Sequence, residues 1–219
     1  KTGNVPLDGQ GYGGREFDMR DDKRKKGYDA AVEDYNTSTH SQDENIDDMG
    51  TPEPLGYKMV EWAEMKEGEN TLEPSAGRGN VSRYIPSDIS SLSIEPDLNK
   101  SNDLMLLTGG VRRGTQEAQG RKTQVMNGKF EDLSVMNKFD TVVMNSPNGA
   151  EGATAKAHME KAVLHLNDSG RLVAVVPDTE SMNKFVDELV AGNTALHLSG
   201  EIKLPACAYS AGGVSQKAK

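Results

Sequence analysis

Residues Thr71–Asn80 read TLEPSAGRGN. A short apolar run ends in an acid, Glu73, and small residues and glycines follow. A strand that feeds a tight turn into a helix beneath a nucleotide-like ligand has this form. Gly77 and Gly79 permit backbone angles and close approaches that a side chain blocks. Glu73, at the strand end, is placed to reach a polar group on such a ligand.

Downstream, Ser91–Ile94 reads as a second strand closing on Glu95-Pro96-Asp97. Glu95 lies 22 positions beyond Glu73. In nucleotide-binding α/β units an acid about 20 residues past the glycine turn takes the ribose hydroxyls. The alternative is a solvated strand-end carboxylate. Thr123–Met126 is a third strand and leads to Phe130, a ring that stacks on a flat ligand or fills the core. Phe139–Asn145, FDTVVMN, is almost continuously apolar, as suits a central parallel strand buried on both faces. It runs into Asn145-Ser146-Pro147-Asn148.

Ala155–Leu166 carries Met159, Ala162, Val163 and Leu166 at helical spacing. His158 and His165 on it lack other ligand-type neighbours and read as ordinary helix residues. Asp168-Ser169-Gly170 stops that helix. Arg171–Pro177 is another buried strand, Ser181–Ala191 a helix, and Ala195–Leu204 one more strand. Leu107–Lys122 reads as a surface loop. Its Arg112, Arg113, Arg121 and Lys122 form a local phosphate-contacting patch or plain solvated charge. Strands alternating with helices predict a mostly parallel Rossmann-like α/β sheet with helices on both faces, possible loss of its final strand included.

Upstream, Pro52 and Pro54 mark a boundary, and Leu55, Met59, Trp62 and Ala63 share one helix face. Residues 1–50 are polar, glycine-rich and charged, too poor in apolar groups to offset their ordering entropy. They are expected to form a disordered or extended tail or linker, solvated or draped over a partner. Arg20–Lys26 is its basic cluster and a short helix is allowed around Tyr28–Tyr35. The predicted organisation is therefore a tail, 1–50, and an α/β domain, 51–219.

The 219 residues carry a net charge of -9, so the surface as a whole does not advertise nucleic-acid binding. Any such contact needs a local patch or another domain or subunit. No apolar run approaches the roughly 18–20 residues that cross a bilayer, and no secretory leader is expected. One cysteine, Cys207, excludes an internal disulfide and fits a reducing, intracellular (cytoplasmic) setting. The chain opens on Lys1, as a processed product or a part of a larger polypeptide or assembly would.

A polar residue at the carboxyl end of a central strand is where open α/β sheets place their chemistry. Asn145 holds that position. Its amide oxygen and the carbonyl of Ser146 are two acceptors for one NH2 group. Pro147 restricts Ser146 to extended geometries and so helps fix that carbonyl. Two acceptors on one amine turn its lone pair toward an electrophilic carbon, which is catalysis by positioning and needs no metal.

With these residues in view, the stretch from Thr51 to about Ser215 resembles the class I S-adenosylmethionine-dependent methyltransferases. Within them it is most similar to the amino-methylating branch that includes N6-adenine DNA methylases. Thr51-Pro52 and the Met59 helix look like the segment beside the cofactor methionine. LEPSAGRG at Leu72–Gly79 resembles the cofactor motif, and EIKLPACAY-SAGG at Glu201–Gly213 resembles a late segment of the same proteins. FDTVVMNSPNG at Phe139–Gly149 is similar to the strand ending in Asn/Asp-Pro-Pro-aromatic. The resemblance implies S-adenosyl-L-methionine bound by Glu73, Ala76, Gly77, Gly79, Glu95 and Phe130. It implies catalysis by Asn145, Ser146 and Pro147, Asn148 at the substrate, and DNA or RNA as the partner. The sequence departs from that pattern in three places. Ser146 replaces a proline, Asn148 replaces the aromatic that stacks on the target base, and Lys129 stands where an acid meets the cofactor adenine. Two other readings stay open. One is a catalytically inactive descendant with a structural or docking role. The other is a dinucleotide binder, since Gly77–Ser82 gives G-x-G-x-x-S.

Overall fold

The computed structural model of the chain describes residues 3–4, 26, 28–33, 50–120, 122–136, 138–204 and 208. After a two-residue strand, β1 (Gly3–Asn4), the first full element is helix α1 (Glu53–Trp62). Pro54 sits in its first turn, where no backbone donor is needed. Then come β2 (Asn70–Glu73), β3 (Ser90–Glu95), α2 (Leu98–Thr108) and the short β4 (Val111–Arg112). They are followed by β5 (Thr123–Asn127), β6 (Phe139–Asn145), α3 (Ala153–Leu164), β7 (Leu166–Val175), α4 (Glu180–Ala191) and β8 (Ile202–Lys203).

Six strands form one sheet in the order β4-β5-β3-β2-β6-β7, every neighbouring pair parallel. The chain builds outward from β2 to β3 and β5, then returns to the other side of β2 with β6. The strand order therefore reverses between β2 and β6, the position at which open α/β sheets bind their ligands. There Thr71 pairs with Thr141 and Leu72 with Val142. At the opposite end of this pair the Asn70 N–H donates to Asp140 Oδ2 at 2.9 Å, and the Asp140 N–H donates to Asn70 Oδ1 at 2.9 Å. Asn167 adds a 2.8 Å bond to Asp140. These donors hold the Asp140 carboxyl below the usual carboxylate range, the Asn70 amide most of all.

Helices cover both faces. Leu55, Met59 and Val60 of α1, with Ala63 just past its end, pack on Val143 and Val175, and Leu104 of α2 packs on Val125. On the other face Ala162 of α3 meets Leu72, Val142 and Met144, and α3 and α4 meet through Met159 and Met182. Arg171 ties α1 to the sheet: its Nε donates to the Ala63 carbonyl at 2.7 Å and its Nη2 to Thr141 Oγ1 at 3.1 Å, with Glu69 as an ion-pair partner.

Several expectations need correction. The stretch Leu98–Thr108, not anticipated as an element, is helix α2. Leu98, Leu106 and Leu107 are exposed, so its apolar residues do not keep to one stripe. Its boundaries were nonetheless written in the sequence: Asp97 accepts the Lys100 N–H at 2.9 Å, and Gly109 ends it at φ 64. The expected loop Leu107–Lys122 contains β4 and a 3-10 turn at Gln116–Ala118. Helix α3 ends at Leu164, and Asp168–Gly170 belong to β7. There the register jumps from Phe139↔Leu166 to Thr141↔Arg171, and Ser169 takes φ 63. Of the strand expected over Ala195–Leu204, only Ile202–Lys203 forms, and it pairs with Gly3–Asn4 in a separate two-stranded ladder.

The predicted tail lies largely outside the described residues, as do Arg121, Cys207 and most of Arg20–Lys26. Residues 28–33 are helical, with Tyr28 and Ala31 buried. Tyr28 meets Tyr57 of α1 edge-on at 6.4 Å, and Lys58 Nζ lies 5.1 Å from the Tyr28 ring centroid. Part of the polar segment is thus seated on the domain. Among the described residues no helix is long and apolar enough to cross a membrane.

Candidate functional site

The turn after β2 is held from both sides. Ala76 donates to the Ile94 carbonyl at 2.9 Å and Gly79 donates to the Ala76 carbonyl at 2.9 Å. Gly77 has φ +55, and nothing lies within 4 Å of where its Cβ would stand, so the backbone opens onto free space. Gly79 has φ +98, and a Cβ there would lie 2.8 Å from Leu104 Cδ1. One glycine keeps the outside of the turn clear, and the other lets α2 close on its inside.

Glu95 reaches back to this turn. Its Oε2 accepts the Gly77 N–H at 2.9 Å and its Oε1 accepts the Asp97 N–H at 2.8 Å. Each carboxylate oxygen has a second lone pair, so a diol can still be taken. Glu73 behaves differently. It is 2% exposed, accepts from Ser82 Oγ, and Ser82 Oγ lies 2.6 Å from Ser93 Oγ. Burial pushes its carboxyl up to about 8, against the opposing pull of the Ser82 bonds. Glu73 thus braces the underside of the turn.

Helix α1 rests directly on the turn. A Cβ on Gly56 would stand 2.3 Å from the Asn80 carbonyl oxygen. A glycine inside a helix costs about 1 kcal/mol relative to alanine, and this contact is the reason for it. Gly56→Ala must push α1 off the turn. We expect a loss of about 2 kcal/mol in denaturant unfolding, and an equal stability to wild type would show that the helix gives way freely.

Asn145 ends β6 on the far side of the switch point. Its Nδ2 donates to Thr51 Oγ1 at 3.0 Å, and the Asn80 side chain donates to the Thr51 carbonyl at 2.8 Å. Thr51 therefore joins the glycine turn to the carboxamide and fixes which way the amide faces. Sequence reasoning placed Thr51 near the ligand but did not find this bridge, which spans 94 positions along the chain. Ser146 is buried, with its Oγ 3.1 Å from His158 Nδ1, while Pro147 is exposed and Asn148 half-buried.

Phe130 is not brought to this site. At 2% exposure it belongs to the core, its ring 5.2 Å from that of His158 and 5.4 Å from that of His165. The turn that carries it, Phe130–Asp132, does follow β5 at the same rim of the sheet. Among the described residues no three His, Cys, Asp or Glu side chains gather as a metal site requires.

No protein-family model matches the chain, and no curated protein sequence matches it. Solved structures share its fold. One is a protein assigned as a class I S-adenosylmethionine-dependent methyltransferase from Listeria monocytogenes. It aligns with a TM-score of 0.61 and 16% identity over 98% of this chain and 68% of that one. Another, assigned as an RNA methyltransferase from Pyrococcus horikoshii, aligns with a TM-score of 0.58 and 17% identity over 77% of this chain and 81% of that one. The fold is thus the Rossmann-like α/β fold of the class I methyltransferases.

Proposed function

We propose that this chain transfers a methyl group from S-adenosylmethionine to an exocyclic amine of a nucleic-acid base, adenine N6 first. The observation that carries the reading is the Thr51 bridge. It places a carboxamide and a glycine turn on the two walls of one switch point, 3.0 Å and 2.8 Å from the same residue. The fit to the cofactor is supported by the open face of Gly77 and by Glu95 beneath it. Ala76, Gly77 and Gly79 would line the cofactor and Glu95 would take its ribose. When bound, S-adenosylmethionine supplies an electrophilic methyl carbon. Asn145 Oδ1 and the Ser146 carbonyl would hold the amine, whose nitrogen gains the methyl and loses a proton. The target base must leave its stack to arrive there, and DNA or RNA would be presented with help from another domain or subunit.

Calorimetry with S-adenosylmethionine, S-adenosylhomocysteine and NAD, followed by transfer of labelled methyl to DNA, RNA and protein, tests this. We expect binding of the first two ligands, not NAD, and label on adenine N6. NAD binding instead would overturn the cofactor reading. One observation favours an inactive scaffold: Asn148 stands where the related enzymes have their stacking ring, a contact worth about 1–3 kcal/mol per base. Binding of both sulfur ligands with no label on any acceptor would select that reading.

A further inference from the structure

His158 lies between two loops of the site's rim. It projects from α3, is 6% exposed, and places Nδ1 3.1 Å from Ser146 Oγ and Nε2 3.3 Å from Glu131 Oε1. Glu131 is in the turn after β5 and Ser146 in the segment after β6. A second α3 residue reinforces the first anchor, since Lys161 Nζ donates to the Glu131 carbonyl at 2.6 Å.

We propose that His158 is a positioning residue that fixes the backbone of Ser146, and with it the second amine acceptor, by bridging Ser146 to Glu131. This inference rests on the methyl-transfer reading above. With the imidazole neutral, the donor inventory gives the bridge one polarity. Glu131 is a carboxylate, held below the usual range by its own backbone N–H and by His158, so it only accepts. Nε2–H donates to it, Nδ1 is left as the acceptor, and the Ser146 hydroxyl donates to Nδ1.

The need for such a device follows from the residue at 146. A proline there has a fixed φ near −65°. Serine has no such restraint, and only Pro147 after it limits its backbone. A buried hydroxyl bonded to an imidazole that is itself anchored restores the lost restraint. The ring is seated edge-on to Phe130, with an interplanar angle of 85°. Phe130 thus contributes from the core, by packing the residue that holds the loop.

The test uses His158→Leu, Ser146→Ala, and Ser146→Pro in the His158→Leu background. We expect His158→Leu and Ser146→Ala to lower kcat about tenfold, with KM for the nucleic acid and affinity for S-adenosylmethionine within about threefold of wild type. Ser146→Pro should restore most of the lost kcat in the His158→Leu chain, because proline supplies the restraint without the hydroxyl. A residue that merely fills space would not be rescued in this way. Unchanged kcat in both single variants, or no recovery with proline, would overturn the proposal. Two readouts are independent of turnover. Nitrogen NMR should find His158 as the Nε2–H tautomer, with its Nδ1 resonance moved by Ser146→Ala. Amide exchange at Asn148 and Gly149 should quicken in His158→Leu. If wild type transfers no methyl, the methyl-transfer reading fails by itself. The bridge is then judged by tautomer and exchange, and a Nδ1–H tautomer or unaltered exchange would sink it.

Discussion

Asn145→Ala is expected to bind S-adenosylmethionine as wild type does and to transfer methyl at least about a hundredfold more slowly, the cost of losing the alignment of an amine at a reacting carbon. Cofactor affinity should survive because the glycine turn, Glu95 and the Asn80–Thr51 bond do not depend on the carboxamide. Thr51→Val makes a graded companion. It removes the hydroxyl that receives Asn145 Nδ2 but keeps the carbonyl that receives Asn80, so the amide can turn over while the loop stays in place. A loss of roughly tenfold is expected, about the worth of one buried hydrogen bond, with recovery in Thr51→Ser. Single-turnover transfer together with calorimetry separates the two effects. Full activity in Asn145→Ala would remove the carboxamide from the reaction.

The second large effect concerns pH. Glu73 has its carboxyl raised to about 8 by burial, against an ordinary glutamate value of 4.5. The folded chain therefore holds a proton that the unfolded chain has released across this interval. By linkage, stability from this group is complete below about pH 4.5, declines as pH rises, and is gone above about 8. The gap corresponds to roughly 5 kcal/mol, on the order of 10 °C in Tm for a domain of this size. Glu73→Gln mimics the protonated acid at every pH. We expect its Tm to match wild type near pH 5 and to exceed it by several degrees near pH 9. Parallel pH profiles for the two proteins would show that Glu73 is ionised in the fold.

The sheet was readable because β6 is an extreme case: FDTVVMN is apolar on both faces, a pattern that suits a covered parallel strand. RLVAVVP carries a similar run on β7, yet that strand is the sheet's edge and its residues 171–174 are only half-buried. The glycine turn was readable because φ +98 at Gly79 admits few other residues. Helix α2 was missed because periodicity is a signal of burial, and Leu98, Leu106 and Leu107 are exposed. Asp97 and Gly109 marked its ends all the same. Strand β8 was over-extended because an alternating run says nothing about whether a partner strand is at hand. At the site, the glycine turn at 77–79 and the strand ends at Glu95 and Asn145 could be placed from the sequence, whereas Glu73, expected to reach a ligand, is buried against Ser82. The Thr51 bridge, the contact of Gly56 with Asn80, and the His158 link were not legible. They depend on which loops meet across the rim, and local spacing holds no record of that. Phe130 shows the converse, since a plausible ring at a plausible position was enclosed by two histidines on and beside α3.

The clasp between Asn70 and Asp140 joins residues 70 positions apart. Closing a loop of that length is entropically costly before its contacts repay it, and such pairings tend to slow folding. During synthesis, a chain that has left the ribosome only as far as residue 120 already has its glycine turn and β3 beside β2, but β6, the neighbour on the other side of β2, has yet to be made. The crevice between β2 and β6 can therefore form only after β6 has emerged, so on the methyl-transfer reading a ligand seated there reports that the two strands have joined and gives no help to a half-made chain.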